Sequence, residues 1–191
     1  MAIVHRFTLG GVTDTTLGIQ LAPGSDEPIA PRTRDRTVVI PGRAGAWDFG
    51  ADMRERTFVL PCQFVNCTTQ ALLAAAIRTL ADLLFDDDGE PEDLTLVFTK
   101  ESTKTYTVRY SGKLPIARIV AGEVGTFKLP LTSFDPHAYA VESTDSKSIT
   151  VNADYVDVTN GGNVKTPCEI TITNNGVADI DWLRIVCRQS K

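Results

Sequence analysis

The chain has 191 residues, 42% of them hydrophobic, and a formal net charge of −5. That length can bury a substantial core in one domain and leaves room for a small appendage. The mixed, mildly acidic charge offers no basic stripe for phosphate, which excludes nucleic acid as an expected partner, and no run reaches the ~18 consecutive apolar residues of a membrane span, so no membrane insertion is expected. The first six residues, Met1 to Arg6, lack the apolar stretch and small-residue cleavage site of a secretory leader. This points to folding in a cytoplasm, where Cys62, Cys67, Cys168 and Cys187 read as free thiols.

In chain order, short β-type runs fall at 4–9, 16–21 and 37–40. Residues 41–54, from Pro41 to Arg54, carry three glycines and a proline, which argues against regular core structure. Trp47 and Phe49 are nonetheless large apolar groups beside Arg43 and Arg54. Two readings stand: aromatics exposed for an interface, or a hairpin whose aromatics fold back on the core. In a longer run at 56–65, Phe58, Leu60, Cys62 and Phe64 face one way and Thr57 and Gln63 the other, the pattern of a half-buried strand. Pro61 lacks an N–H and so predicts a sheet edge or a bulge there.

A helix is predicted over 68–86, with a threonine cap at Thr68-Thr69 and an end at Asp86-Asp87-Asp88-Gly89. Leu72, Leu73, Ala76, Ile77, Leu80, Leu83 and Leu84 fall on one arc, which should cover a sheet face. The opposite arc carries Gln70, Arg78 and Asp82 with Ala71, Ala74, Ala75, Ala81 and Phe85. Those alanines read either as helix propensity or as a smooth face that docks against a neighbouring subunit. Four further alternating runs, 94–99, 105–110, 114–121 and 126–131, suggest antiparallel meanders in a sandwich or barrel. The composition changes near residue 140, which predicts a first domain over 1–140. Residues 141–191 then read as a short β-rich extension, with runs at 149–151, 155–158, 169–173 and 181–187.

Chemistry is sparse. There is no Gly-x-Ser-x-Gly elbow, His-Glu-x-x-His helix or phosphate-binding glycine loop. His5 and His137 lie near no cysteine, and no Cys-x-x-Cys pair exists, so neither catalysis nor zinc is expected. The acidic stretch 86–93 fails the EF-hand order, because Asp86 at position 1 puts Gly89 at position 4. It reads as a solvated turn whose acids oppose the helix dipole and could be met by arginines of another subunit.

The sequence resembles the N-terminal domain of the distal tail protein family of long-tailed bacteriophages, over roughly residues 3–140. The resemblance lies in the order of its parts. These are Pro41-Gly42-Arg43-Ala44-Gly45 with the following aromatics and Gly50, the 56–65 strand running into the leucine-rich helix, the acidic turn, the meander, and Phe134-Asp135-Pro136-His137-Ala138-Tyr139. It implies a mainly β antiparallel sandwich or barrel with one flanking helix and a projecting β-hairpin. It further implies a non-enzymatic structural subunit without cofactors, forming a homohexameric ring at the virion tail tip after assembly in the host cytoplasm. Such a ring joins the tail tube protein to the tail-tip hub or tail fibre protein, and in some members to a receptor-binding protein. Carried over by position, residues 43–54 are the hairpin at the ring interface. The candidate interface is thus Arg43, Trp47, Phe49 and Arg54, with Ala71, Ala74, Arg78 and Phe85 on the helix. Residues 141–191 are too short for the carbohydrate-binding-like domain that many members add. Two alternatives stand beside this: a tail tube or tail-completion ring protein, and a carbohydrate-binding module stacking sugars on Trp47, Phe49 and Trp182.

Overall fold

A computed structural model describes residues 6–120 and 124–140, and beyond them 144, 146–149, 157–158, 161–162, 164, 169–177, 179–180 and 183–186. The chain divides into two compact units, Met1–Glu142 and Ser143–Lys191. The first is built from β1 (Phe7–Leu9), β2 (Val12–Thr13), β3 (Ile19–Leu21), β4 (Thr33–Val38), β5 (Trp47–Met53), β6 (Arg56–Phe64), α1 (Gln70–Leu84), β7 (Asp93–Phe98), β8 (Lys104–Tyr110), β9 (Ala117–Val120), β10 (Val124–Ser133) and β11 (Tyr139–Ala140). Nine strands form one curled antiparallel sheet in the order β2-β1-β7-β8-β10-β6-β3, with β11 on β8 and β9 on β10; β4 and β5 pair only with each other.

Period-two alternation puts one row of side chains inside. In β6, Phe58, Leu60, Cys62 and Phe64 are buried, and across the ladder Leu131, Leu129 and Phe127 of β10 lie opposite the first three. Phe7 and Leu9 of β1 face Phe98 and Leu96 of β7, and Leu94 and Leu96 face Val108 and Tyr106 of β8. Each such side chain contributes ~1.5–3 kcal/mol on burial, so these rows dominate the stability of the unit. Helix α1 covers the apolar face with Leu73, Leu80 and Leu84 buried and Ala76, Ile77 and Leu83 packed against them. Its approach is close. A Cβ added at Gly125 would sit 3.1–3.3 Å from Ile116, Leu73 and Phe64 side chains.

The helix is shorter than its expected 68–86. Thr69 is the N-cap, its hydroxyl accepting from the Leu72 N–H at 3.3 Å, and Phe85 is already extended (φ −128, ψ 142). The backbone there turns into a β-type bridge with Pro91, and the Glu92 N–H donates to the Leu84 carbonyl at 3.0 Å. Leu72 departs from the expected buried arc: it is 50% exposed. At 100° per residue it stands well away from the Leu73–Leu80–Leu84 centre line.

Pro61 meets its expectation in part. Strand β6 is not an edge strand, since it runs between β10 and β3, but its pairing with β3 stops at Leu21–Cys62 and resumes only at the Asp26–Val59 bridge, an irregularity opposite Pro61. The Pro61 carbonyl accepts from Ala22, and Val59 exchanges bonds with Asp26 on the same side. Residues 23–25 loop away between those points, so the missing N–H falls where no neighbour asks for it. The meander is altered too. Strand β8 pairs directly with β10 at Tyr110–Leu131, while β9 occupies the other end of that same side of β10 at Ala117–Thr126.

In the second unit, no described residue belongs to a strand, including 169–173 and 183–186, which alternation had marked as strands. Ile170 and Ile172 are each 52% exposed; alternation alone makes no strand where no partner supplies the ladder. The remainder of the expected runs, 150–151, 155–156, 181–182 and 187, lies outside the described residues, as do Trp182, Cys168 and Cys187.

Candidate subunit interface

The stretch 41–54, read from sequence as irregular, is half of a regular ribbon. Strand β4 pairs with β5 from Thr33–Met53 to Val38–Trp47, with one irregularity between Asp35 and Thr37. The Arg54 N–H closes its root on the Arg32 carbonyl at 2.7 Å. Gly42 and Gly45 take φ of +82 and +83 in the connecting turn, a region closed to most side chains. Glycine content hid this strand, and the irregularity around Gly50 breaks the alternation that would have marked it.

Every residue of both strands is exposed. Trp47, Phe49 and Met53 are 48%, 60% and 61% exposed, and Val38 stands opposite Trp47; the irregularity around Gly50 interrupts the alternation, so Met53, opposite Thr33, faces away from Trp47. The aromatics therefore do not fold back on the core. Polar contacts lie beside the aromatics: Arg36 Nε lies 3.3 Å from Asp52 Oδ2, and Asp48 Oδ1 accepts the Gly50 N–H at 2.8 Å. The Arg43 guanidinium lies 4.3 Å from the Trp47 ring centroid. That contact covers one side of the indole on which a sugar would stack. Met53 was missed in the sequence, because the irregularity around Gly50 separates it from the Trp47–Phe49 alternation.

On α1, Ala71, Ala75, Arg78 and Ala81 are exposed and Ala74 is half-buried. Phe85 stands apart from them. It packs against the core cluster, with its ring edge-on to Tyr110 at 5.6 Å between centroids. The hairpin set (Arg43, Trp47, Phe49, Arg54) and the helix set (Ala71, Ala74, Arg78) lie on separate elements.

The acidic turn is organised by its own backbone. Asp86 Oδ1 accepts from Asp88 and Glu90 N–H groups at 3.0 and 2.8 Å, and Asp93 holds Arg109 through two bonds of 2.9 and 2.8 Å. Asp86 thus spends its charge on amides rather than on the end of the helix dipole. The closing segment is tied similarly. The Asp135 carboxylate accepts from the Tyr139 hydroxyl and from the His137 N–H, which hold it below the usual carboxylate range. Among the described residues no group of His, Cys, Asp and Glu is placed to hold a metal ion, and no helix is long and apolar enough to cross a membrane.

Among curated proteins nothing matches this chain. Among solved structures, it is similar to the Dit protein of phage SPP1, described as a paradigm of the hub adsorption apparatus in phages infecting Gram-positive bacteria. The TM-score is 0.60 at 19% identity, over 72% of this chain and 52% of that one. At that identity the likeness is one of fold, and the chain spans about half the length of the structure it matches. Residues 13–133, which run from β2 through β10, match the phage tail protein RIFT-related domain, and the chain belongs to that family of phage tail proteins.

Proposed function

We propose that the chain is a distal tail subunit, forming a homohexameric ring that joins the tail tube to the tail-tip hub, and that it catalyses no reaction. The observation that carries this reading is the bare hairpin. A two-stranded ribbon is marginal in water by itself, yet this one leaves Trp47, Phe49 and Met53 exposed, and among the described residues neither of its strands joins the larger sheet. A ring joins two different surfaces head to tail, and the hairpin and the alanine-rich flank of α1 supply two. Each contact of a stable ring should remove about 800 Å² per partner from water. The membership in a tail-protein family supports the same assignment, as does the likeness in fold to Dit.

Size-exclusion chromatography with light scattering and negative-stain images of the purified chain test it. Single or paired closed rings are expected. Long stacks would favour a tube subunit, and a chain that stays monomeric at high concentration would overturn the proposal. Trp47→Ala and Ala71→Arg should each weaken assembly without unfolding the subunit.

A further inference from the structure

We infer that the acidic turn 86–93 of one copy docks against the arginines at the hairpin root of the next copy. This rests on the ring reading and names the contact that would close it.

The charge of the chain is unevenly spread. Residues 86–93 hold only acids among their charged side chains. Asp86 is engaged by its own turn and Asp93 by Arg109, which leaves Asp87, Asp88, Glu90 and Glu92 exposed and without an ion pair among the described residues. The hairpin root gathers three arginines, Arg32, Arg54 and Arg56, with Glu55 and Asp26 as the acids among them. Arg54 and Arg32 are joined through their backbones, and Arg32 and Arg56 line a recess of about 300 Å³ in which Asp26 is the one carboxylate. Arg56 donates to the Tyr106 hydroxyl at 3.2 Å, and its buried Nε has no hydrogen-bond partner. Neither Arg32 nor Arg54 has an ion pair among the described residues.

Register puts the two clusters at one level. Asp93 lies opposite Arg109, Arg109 opposite Thr132, and Thr132 opposite Thr57, the residue after Arg56. Three steps between strands displace them sideways by about 14 Å. A head-to-tail contact joins two different surfaces of the subunit, and these two clusters are separate surfaces of opposite charge. Within one subunit the same offset keeps the free acids from reaching the arginines.

Two variants of the full chain test this: R32E/R54E, and D87K/D88K. All four positions are exposed, and circular dichroism with thermal melting verifies that both variants fold. Each alone should assemble at least tenfold more weakly than the wild type by light scattering. An equimolar mixture should recover rings, because alternating copies restore an attractive pair at every contact. If either variant assembles like the wild type, or the mixture stays dissociated, the contact is wrong. Should Trp47→Ala break the ring while the reversed charges leave it intact, the ring reading stands and this contact falls. Should the wild type never assemble, both fall.

Discussion

Cys62 shows how much one position carries. It lies between Leu60 and Phe64 on the buried row of β6, opposite Phe127, and burial, helped by Asp14, pushes its thiol up from 9.0 to about 12. The folded chain keeps this proton where the unfolded chain releases it. The contribution is therefore whole below about pH 9 and is lost as pH climbs towards about 12. Between pH 8 and pH 10.5 the loss should be about 2 kcal/mol. Urea titrations at both pH values should show Cys62→Ala less stable than the wild type at pH 8 but less sensitive to the rise. Parallel losses in the two proteins would refute the assignment. Gly125 is the converse case, a position where nothing can be added. Its missing Cβ leaves room for Leu73 and Phe64, so Gly125→Ala should cost ~1–3 kcal/mol by overpacking, read as a lower urea midpoint at unchanged slope.

At the scale of elements, legibility follows the source of each element's stability. Strand β6 and helix α1 were readable because their own side chains dictate burial, at periods of 2 and 3.6. Their ends were not, since Thr69 as cap and Phe85 as first extended residue are set by single hydrogen bonds and by the bridge to Pro91. Thr69→Ala should therefore cost ~0.5–2 kcal/mol, seen as a lower melting temperature. Strand β4 was largely invisible: Thr33-Arg34-Asp35-Arg36 has no apolar alternation and becomes a strand only through β5. The two-residue strands β2 and β11 likewise exist through the ladders they complete, at Leu9–Val12 and Tyr139–Thr105. Of the candidate interface, the arginines and aromatics of 43–54 were legible as out of place in a loop. Their place on a paired strand needed β4, and the partner of Phe85 needed the position of Tyr110.

For the whole molecule, the decisive fact is where the apolar mass lies. Every residue of the buried core falls between Phe7 and Leu131, inside the unit Met1–Glu142. Within the described part of 143–191, Ile170, Ile172, Ile180 and Ile185 are more than half exposed. Hydrophobic burial is the dominant favourable term in folding, so residues 1–142 carry what is needed to fold by themselves. A fragment ending at Glu142 should unfold in a single cooperative transition, with its core amides as protected from hydrogen exchange as in the full chain. A fragment with exchange-labile amides in β6 and β10 would mean that the last 49 residues, from Ser143 to Lys191, hold the first unit together. If the fragment also forms the same rings as the full chain, both surfaces of the proposed contact lie within the first unit, and the terminal segment is left free to engage a different partner.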